Sequence, residues 1–189
     1  MRRLFAFFPR LLAKLFSRSE IVGQIGIDIE SGLTRLTFRL WRERKSNRYY
    51  ATLGWERSEP GFSLTLETDD LDRLIITGDQ IRAAQSVAFS GGPPEVPLLG
   101  RTIDMILRGE VLRRTEIKLN DGSRLSFHLK RQTNPPHEYI AIGVFLGISA
   151  CNLAFELDEF HRFVAAAKKT RANMPDAYRR SDRSRIEAP

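Results

Sequence analysis

The chain has one cysteine, three histidines and no apolar run long enough to span a bilayer, and each shortage removes a class of function. Cys151 cannot close an internal disulfide, so a disulfide-stapled scaffold is excluded. Its apolar surroundings, "SACNLAF", predict a small buried hydrophobe and a reducing, intracellular setting. His128, His137 and His161 stand at no metal-ligand spacing with Cys, Asp or Glu, so no metal site is expected. His161 follows Asp158 at i, i+3, which reads as local charge pairing rather than a catalytic dyad. The glycine pair of "SGGPPEVPLLG" lacks the Lys-Ser/Thr of a phosphate cradle and reads as a linker. The expectation is a non-enzymatic protein with no cofactor.

What is abundant is positive charge, a net +7 with 30 Lys and Arg against 23 Asp and Glu. It sits at the ends. Residues 1–18 carry Arg2, Arg3, Arg10, Lys14 and Arg18 with no acid, and residues 168–189 carry seven basic residues against Asp176, Asp182 and Glu187. The middle, residues 19–167, is left with 18 basic and 20 acidic residues, so the high pI says little about the folded core.

Residues 1–20 are amphipathic. At 100° per residue Leu4, Phe5, Phe8, Leu11, Leu12, Leu15 and Phe16 share one side, with Arg3, Arg10, Lys14 and Arg18 opposite and Pro9 suited to the first position of a helix. Three readings stay open: a membrane-surface helix that uses those seven apolar residues, a removable mitochondrial-type presequence, or a helix docked on its own core or on a partner. The expected location is cytoplasmic, with the mitochondrial matrix or a peripheral membrane site as alternatives. The C-terminal stretch, 174–189, is polar and aperiodic and predicts a disordered basic tail.

Between these ends the chain repeats itself. "TRLTFRLWRE" (34–43) and "SRLSFHLKRQ" (123–132) are nearly the same strand, and at an offset of 89 (124 − 35) residues 35–75 align with 124–164 without a gap. Identical pairs include Arg35/Arg124, Leu36/Leu125, Phe38/Phe127, Leu40/Leu129, Tyr50/Tyr139, Gly54/Gly143 and Glu67/Glu156. The apolar phase is kept throughout, which marks an internal duplication. Each copy reads as four alternating strands followed by a helix opened by acids, with Asp69 and Asp158 as expected caps. Gly78 weakens the first helix beyond its second turn. The predicted fold class is α+β, two tandem ββββα repeats with antiparallel sheets packed against helices. The predicted organisation is a basic N-terminal segment (1–20), a first repeat (21–85), a linker with a short helix (86–111), a second repeat (112–173) and the tail (174–189).

Candidate function lies in the alternate positions of the strands. In copy one Leu36, Phe38 and Leu40 face one way, while Arg35, Thr37, Arg39 and Trp41 face the other. Residues 35–48 hold Arg35, Arg39, Arg42, Arg44, Lys45 and Arg48 against Glu43 alone, interleaved with Trp41 and followed by Tyr49 and Tyr50. Cations track phosphates and flat rings stack on bases, so this mixture suits single-stranded nucleic acid. Copy two offers Arg124, His128, Lys130, Arg131 and Tyr139, a weaker version in which Lys130 replaces Trp41. The bland alternative is a sheet face guarded against edge-to-edge pairing, with Trp41 or Tyr50 in the core.

The layout of two tandem strand-strand-strand-strand-helix units, 25–85 and 115–172, resembles the single-stranded nucleic-acid-binding superfamily of Whirly proteins, Pur-alpha repeats and positive-coactivator-type transcription cofactors. That resemblance implies curved sheets that bind single-stranded DNA or RNA, a homo-oligomer, and a surface formed by Arg35, Arg39, Trp41 and Tyr50 with Arg124, His128, Lys130 and Tyr139. The competing expectation is a scaffold that binds another protein and is held to a membrane or a large assembly by its N-terminal helix.

Overall fold

The structure is a computed structural model, and it describes residues 19–32, 34–56, 62–85, 109–133, 136–147 and 149–175. The seven N-terminal apolar residues, the proposed linker helix and most of the basic tail lie outside the described residues.

The first repeat is β1 (Ser19–Ile29), β2 (Thr34–Glu43), β3 (Tyr49–Glu56), β4 (Phe62–Leu66) and α1 (Thr68–Ala83). The second is β5 (Glu110–Lys118), β6 (Arg124–Thr133), β7 (Pro136–Leu146), β8 (Ser149–Phe155) and α2 (Leu157–Ala172). The strands form two four-stranded antiparallel meanders, β1-β2-β3-β4 and β5-β6-β7-β8. The duplicated ββββα arrangement is therefore the architecture.

Pairing repeats with the sequence: Leu40 opposes Ala51 and Trp41 opposes Tyr50 in the first sheet, Leu129 opposes Ile140 and Lys130 opposes Tyr139 in the second. The opening strands keep the same correspondence at an offset of 90 (111 − 21), one residue more. Both carry a bulge, between Ile21 and Gly23 and between Val111 and Arg113. Both turn into the next strand past a glycine of positive φ, Gly32 at 88° and Gly122 at 87°, a conformation that costs glycine least. The bulges interrupt strict alternation, which is why each opening strand starts earlier than its sequence pattern suggests.

The helix starts differ from expectation. Asp69 and Asp158 lie inside the first turns, and the N-caps are Glu67 and Glu156. Each forms a capping box, in which the Glu67 amide donates to Asp70 Oδ2 at 3.0 Å and the Glu156 amide to Glu159 Oε2 at 2.9 Å. An acid three residues past the cap can reach back to the amide that the helix leaves unpaired, whereas one two residues past it only complements the dipole. Asp70 does more than cap. Fully buried, it also accepts from Arg73 Nη2 at 2.5 Å and from the Asn120 amide at 3.1 Å, tying α1 to the β5–β6 turn.

The two repeats share one core. Phe38 of the first sheet lies 5.5 Å from Phe163 of α2, which stacks on Phe160 at 6.0 Å; Phe155 and Phe127 of the second sheet complete the cluster. The helices run antiparallel, with Arg171 on Asp72 at 2.9 Å, Lys168 on Asp79 at 2.9 Å and a His161 ring nitrogen 3.1 Å from Gln85 Oε1. His161 therefore looks across to α1. Asp158 pairs with Arg162 at 3.6 Å instead. Helix α1 does continue past Gly78, because that glycine is the contact point: a Cβ there would meet Val164 Cγ2 at 2.6 Å.

Candidate nucleic-acid interface

With Leu36, Phe38 and Leu40 buried against the helices, the alternate residues of the first sheet form its outer face. Cross-strand pairing sets them in rows. Ile21, Trp41 and Tyr50 make one, Gln24, Arg39, Thr52 and Thr65 the next, then Gly26, Thr37, Gly54 and Ser63, then Asp28 and Arg35. Trp41 and Tyr50 are half-buried on this face, so neither belongs to the core. Their rings lie 6.3 Å apart between centroids and within 7° of parallel. The Trp41 indole N–H donates to Thr52 Oγ1 at 2.9 Å, which fixes the ring's rotamer on the sheet. Arg39 Nε donates to Gln24 Oε1 at 3.4 Å. The Arg35 guanidinium lies across Gly26, whose missing side chain leaves it room, and stands 3.7 Å from Asp28. The exposed Arg35–Asp28 contact is loose enough for the guanidinium to exchange onto a phosphate.

The remaining first-copy cations are placed elsewhere. Arg42 and Arg44 both reach Glu20, the latter at 3.3 Å. The hydrogen bond from Arg42 holds the Glu20 carboxyl below its ordinary value, aided by the charges of Arg42 and Arg44 and opposed by desolvation. Arg48 pairs with Glu67, the cap of α1. Lys45 stands exposed on the β2–β3 turn. The six cations read as one stripe in the sequence thus divide into Arg35 and Arg39 on the outer face, Lys45 on a turn, and three arginines held in ion pairs.

The second sheet is closed where the first is open. Tyr139 is fully buried and Lys130 is only 8% exposed, so Tyr139 offers no face to a base, and burial depresses the Lys130 ammonium's pKa. This corrects their expected place on the surface. Tyr139 stacks against His137 at 5.9 Å, and Gly109, with φ of +95°, brings the chain so close that a Cβ there would lie 2.5 Å from the Tyr139 hydroxyl oxygen. Arg131 is bound to the buried Glu138 at 2.8 Å. His128, half-buried 3.2 Å from Ser126 Oγ, is held below its ordinary pKa by burial and by Arg114 and Lys130. The face stays open along β5, at Val111 and Arg114, and at the far end, where exposed Arg124 sits 5.5 Å over the half-buried Phe145 ring and 3.4 Å from Glu116.

Several residues that shape these faces were not candidates in the sequence: Thr52, which anchors Trp41, Ile21 beside it, and Arg114 and Phe145. Arg114 lies opposite His128 on the second sheet, and its counterpart at the offset of 90 is Gln24, so the duplication carried no signal for it. Among the described residues no group of three His, Cys, Asp or Glu side chains is placed to hold a metal, and no helix is long and apolar enough to cross a membrane.

No family model and no curated protein matches the chain. Among solved structures it is similar in fold to WHY1 from Arabidopsis thaliana, at 11% identity and a TM-score of 0.37, over 82% of this chain and 87% of that one.

Proposed function

We propose that the protein is a non-enzymatic single-stranded nucleic-acid-binding protein that works through the outer face of its first sheet. The observation that carries this reading is the Trp41–Tyr50 pair, near-parallel and half-buried, held by Thr52 with Arg39 on the adjoining row and Arg35 two rows beyond it. Stacking on flat rings tolerates any base, and two guanidiniums at the flank hold the backbone. Arg124 and Phe145 offer a second, smaller contact on the other sheet. Arg42, Arg44, Arg48 and Arg131, already paired to carboxylates, serve the fold more than the ligand.

A labelled single-stranded oligonucleotide titrated at several salt concentrations tests this. Binding falls as salt rises, and replacing both Arg35 and Arg39 with alanine flattens the log–log slope by about 1.4, at about 0.7 per phosphate contact on a single strand. Absence of binding by the full chain at low salt overturns the reading. The exposed apolar pairs at the two bulges would then favour the other reading, a protein-interaction domain.

A further inference from the structure

The two outer faces keep the same rows and change their letters. Gly26, Thr37, Gly54 and Ser63 form one row of the first sheet, and the matching row of the second is Glu116, Ser126, Gly143 and Asn152. On the next row Asp28, Arg35 and Glu56 become Lys118, Arg124 and Phe145. The second copy thus carries a carboxylate, an amide and a ring at neighbouring positions where the first has none of these in place. Glu116 and Asn152 are exposed and Phe145 is half-buried, so the core does not dictate them. Gly143 lets the parts meet, since a Cβ there would lie 2.6 Å from Ser126 Oγ, 3.1 Å from Phe145 Cε2 and 3.2 Å from Asn152 Oδ1. The Glu116 carboxylate stands 3.7 Å from Arg114 and 3.4 Å from Arg124, long contacts that leave its oxygens able to accept from a ligand. On a face that only tracked phosphates, an exposed carboxylate would weaken binding by like-charge repulsion. It gains a use where the ligand brings donors to it.

We propose that this end of the second sheet is a guanine subsite, in which a base stacks on Phe145 while Glu116 and Asn152 read its edge from the two ends of their row. Guanine is the base whose pairing edge carries two adjacent donors, N1–H and N2–H2, beside an acceptor, O6. A carboxylate takes both donors at once, and an amide N–H of Asn152 donates to O6. The thymine edge sets a carbonyl on each side of its one donor and is repelled by the same carboxylate. The row spans three interstrand steps of about 4.8 Å, roughly 14 Å, so side chains reaching in from its ends leave room for one base. Along β5 the outer positions run Arg114, Glu116, Lys118, which places a cation on each side of the carboxylate for the phosphates flanking that base. In the first copy the same positions are Gln24, Gly26 and Asp28. The subsite rests on the nucleic-acid reading above and deepens it, giving the second sheet the base selection that the rings of the first do not provide.

The probes are a labelled oligothymidine and the same strand carrying isolated guanosines, too sparse to form a quadruplex, each titrated onto the full chain at low salt. The parent is expected to bind the guanosine strand at least about fivefold more tightly, the lower end for one bidentate base contact. Glu116→Gln removes that preference and raises the affinity for oligothymidine, because a charge that repels phosphate is gone. Asn152→Ala, at the other end of the row, reduces the preference without that rise. Both side chains are exposed, and circular dichroism checks that each variant is folded. A plain basic surface would respond otherwise, with Glu116→Gln strengthening both strands by the same factor. That result, or a parent that binds oligothymidine and the guanosine strand equally, overturns the subsite and leaves the nucleic-acid reading standing. Absence of binding to either strand at low salt overturns both.

Discussion

Trp41→Ala separates a stacking platform from an ordinary sheet surface. Trp41 supplies one of two near-parallel rings, and its indole N–H donates to Thr52 Oγ1 at 2.9 Å. Base–aromatic stacking contributes about 1–3 kcal/mol per base, which converts to a loss of about 5- to 150-fold in affinity. Removing the half-buried indole, its contact with Tyr50 and its hydrogen bond to Thr52 costs the fold about 2–4 kcal/mol, so affinity is compared at a temperature where both chains are folded. Trp41→Phe keeps a stacking face but loses the bond to Thr52, and it falls between alanine and the parent. The assay is fluorescence anisotropy of a labelled oligothymidine at low salt, with a thermal melt by circular dichroism as the folding control. A Trp41→Ala variant that is folded at the assay temperature and binds within about twofold of the parent refutes the platform, since even the weak end of the stacking range exceeds that.

Other consequences follow from the core and its charges. Gly78→Ala forces a Cβ onto Val164 and destabilises by about 1–3 kcal/mol despite alanine's better helix propensity; in urea unfolding, combining it with Val164→Ala gives less than the sum of the two single losses, and strict additivity would contradict the contact. Asp70→Ala removes the acceptor shared by the Glu67 amide, Arg73 and the Asn120 amide, and lowers stability by about 3 kcal/mol; a loss within about 0.5 kcal/mol, that of an ordinary surface site, would show that the tie between α1 and the β5–β6 turn is idle. His128 and His161 both titrate below the ordinary 6.5 in the folded protein, the first through burial, Arg114 and Lys130, the second through burial and Arg82 against an opposing pull from Asp158. The unfolded chain therefore holds more protons between the folded values and 6.5, so stability falls as pH drops below 6.5 and levels off beneath the folded values. His128→Gln with His161→Gln flattens that part of the stability–pH curve; an unchanged curve contradicts the assignment.

The fold was legible because duplication wrote it twice. Leu36, Phe38 and Leu40 with Leu125, Phe127 and Leu129 keep one phase of alternation, and α1 and α2 span matching residues at an offset of 89. Local pattern carries that information, since burial of one face sets strand register. The caps were misplaced by two residues because an acid-rich helix start, Glu67 to Asp70, offers several carboxylates and only backbone geometry selects among them. The outer-face placement of Arg35, Arg39, Trp41 and Tyr50 was legible in the alternation along β2, and ion-pair partners that come from distant strands were not. Nothing local to "RERKSNRYY" says that Glu20 takes up Arg42 and Arg44, or that Glu67 takes up Arg48. Likewise Tyr50 and Tyr139 are the same letter in the same register, yet only the second lies under Gly109. A repeat predicts backbone equivalence, while exposure depends on what each copy packs against.

The most direct test of the central claim is photocross-linking of the full chain to a bromouridine-substituted single strand at moderate salt, with the attached peptides read by mass spectrometry. The outer-face account predicts adducts on Trp41 and Tyr50, lost under excess unlabelled strand. Adducts confined to the basic ends, or none at a concentration where the strand is bound, would contradict it.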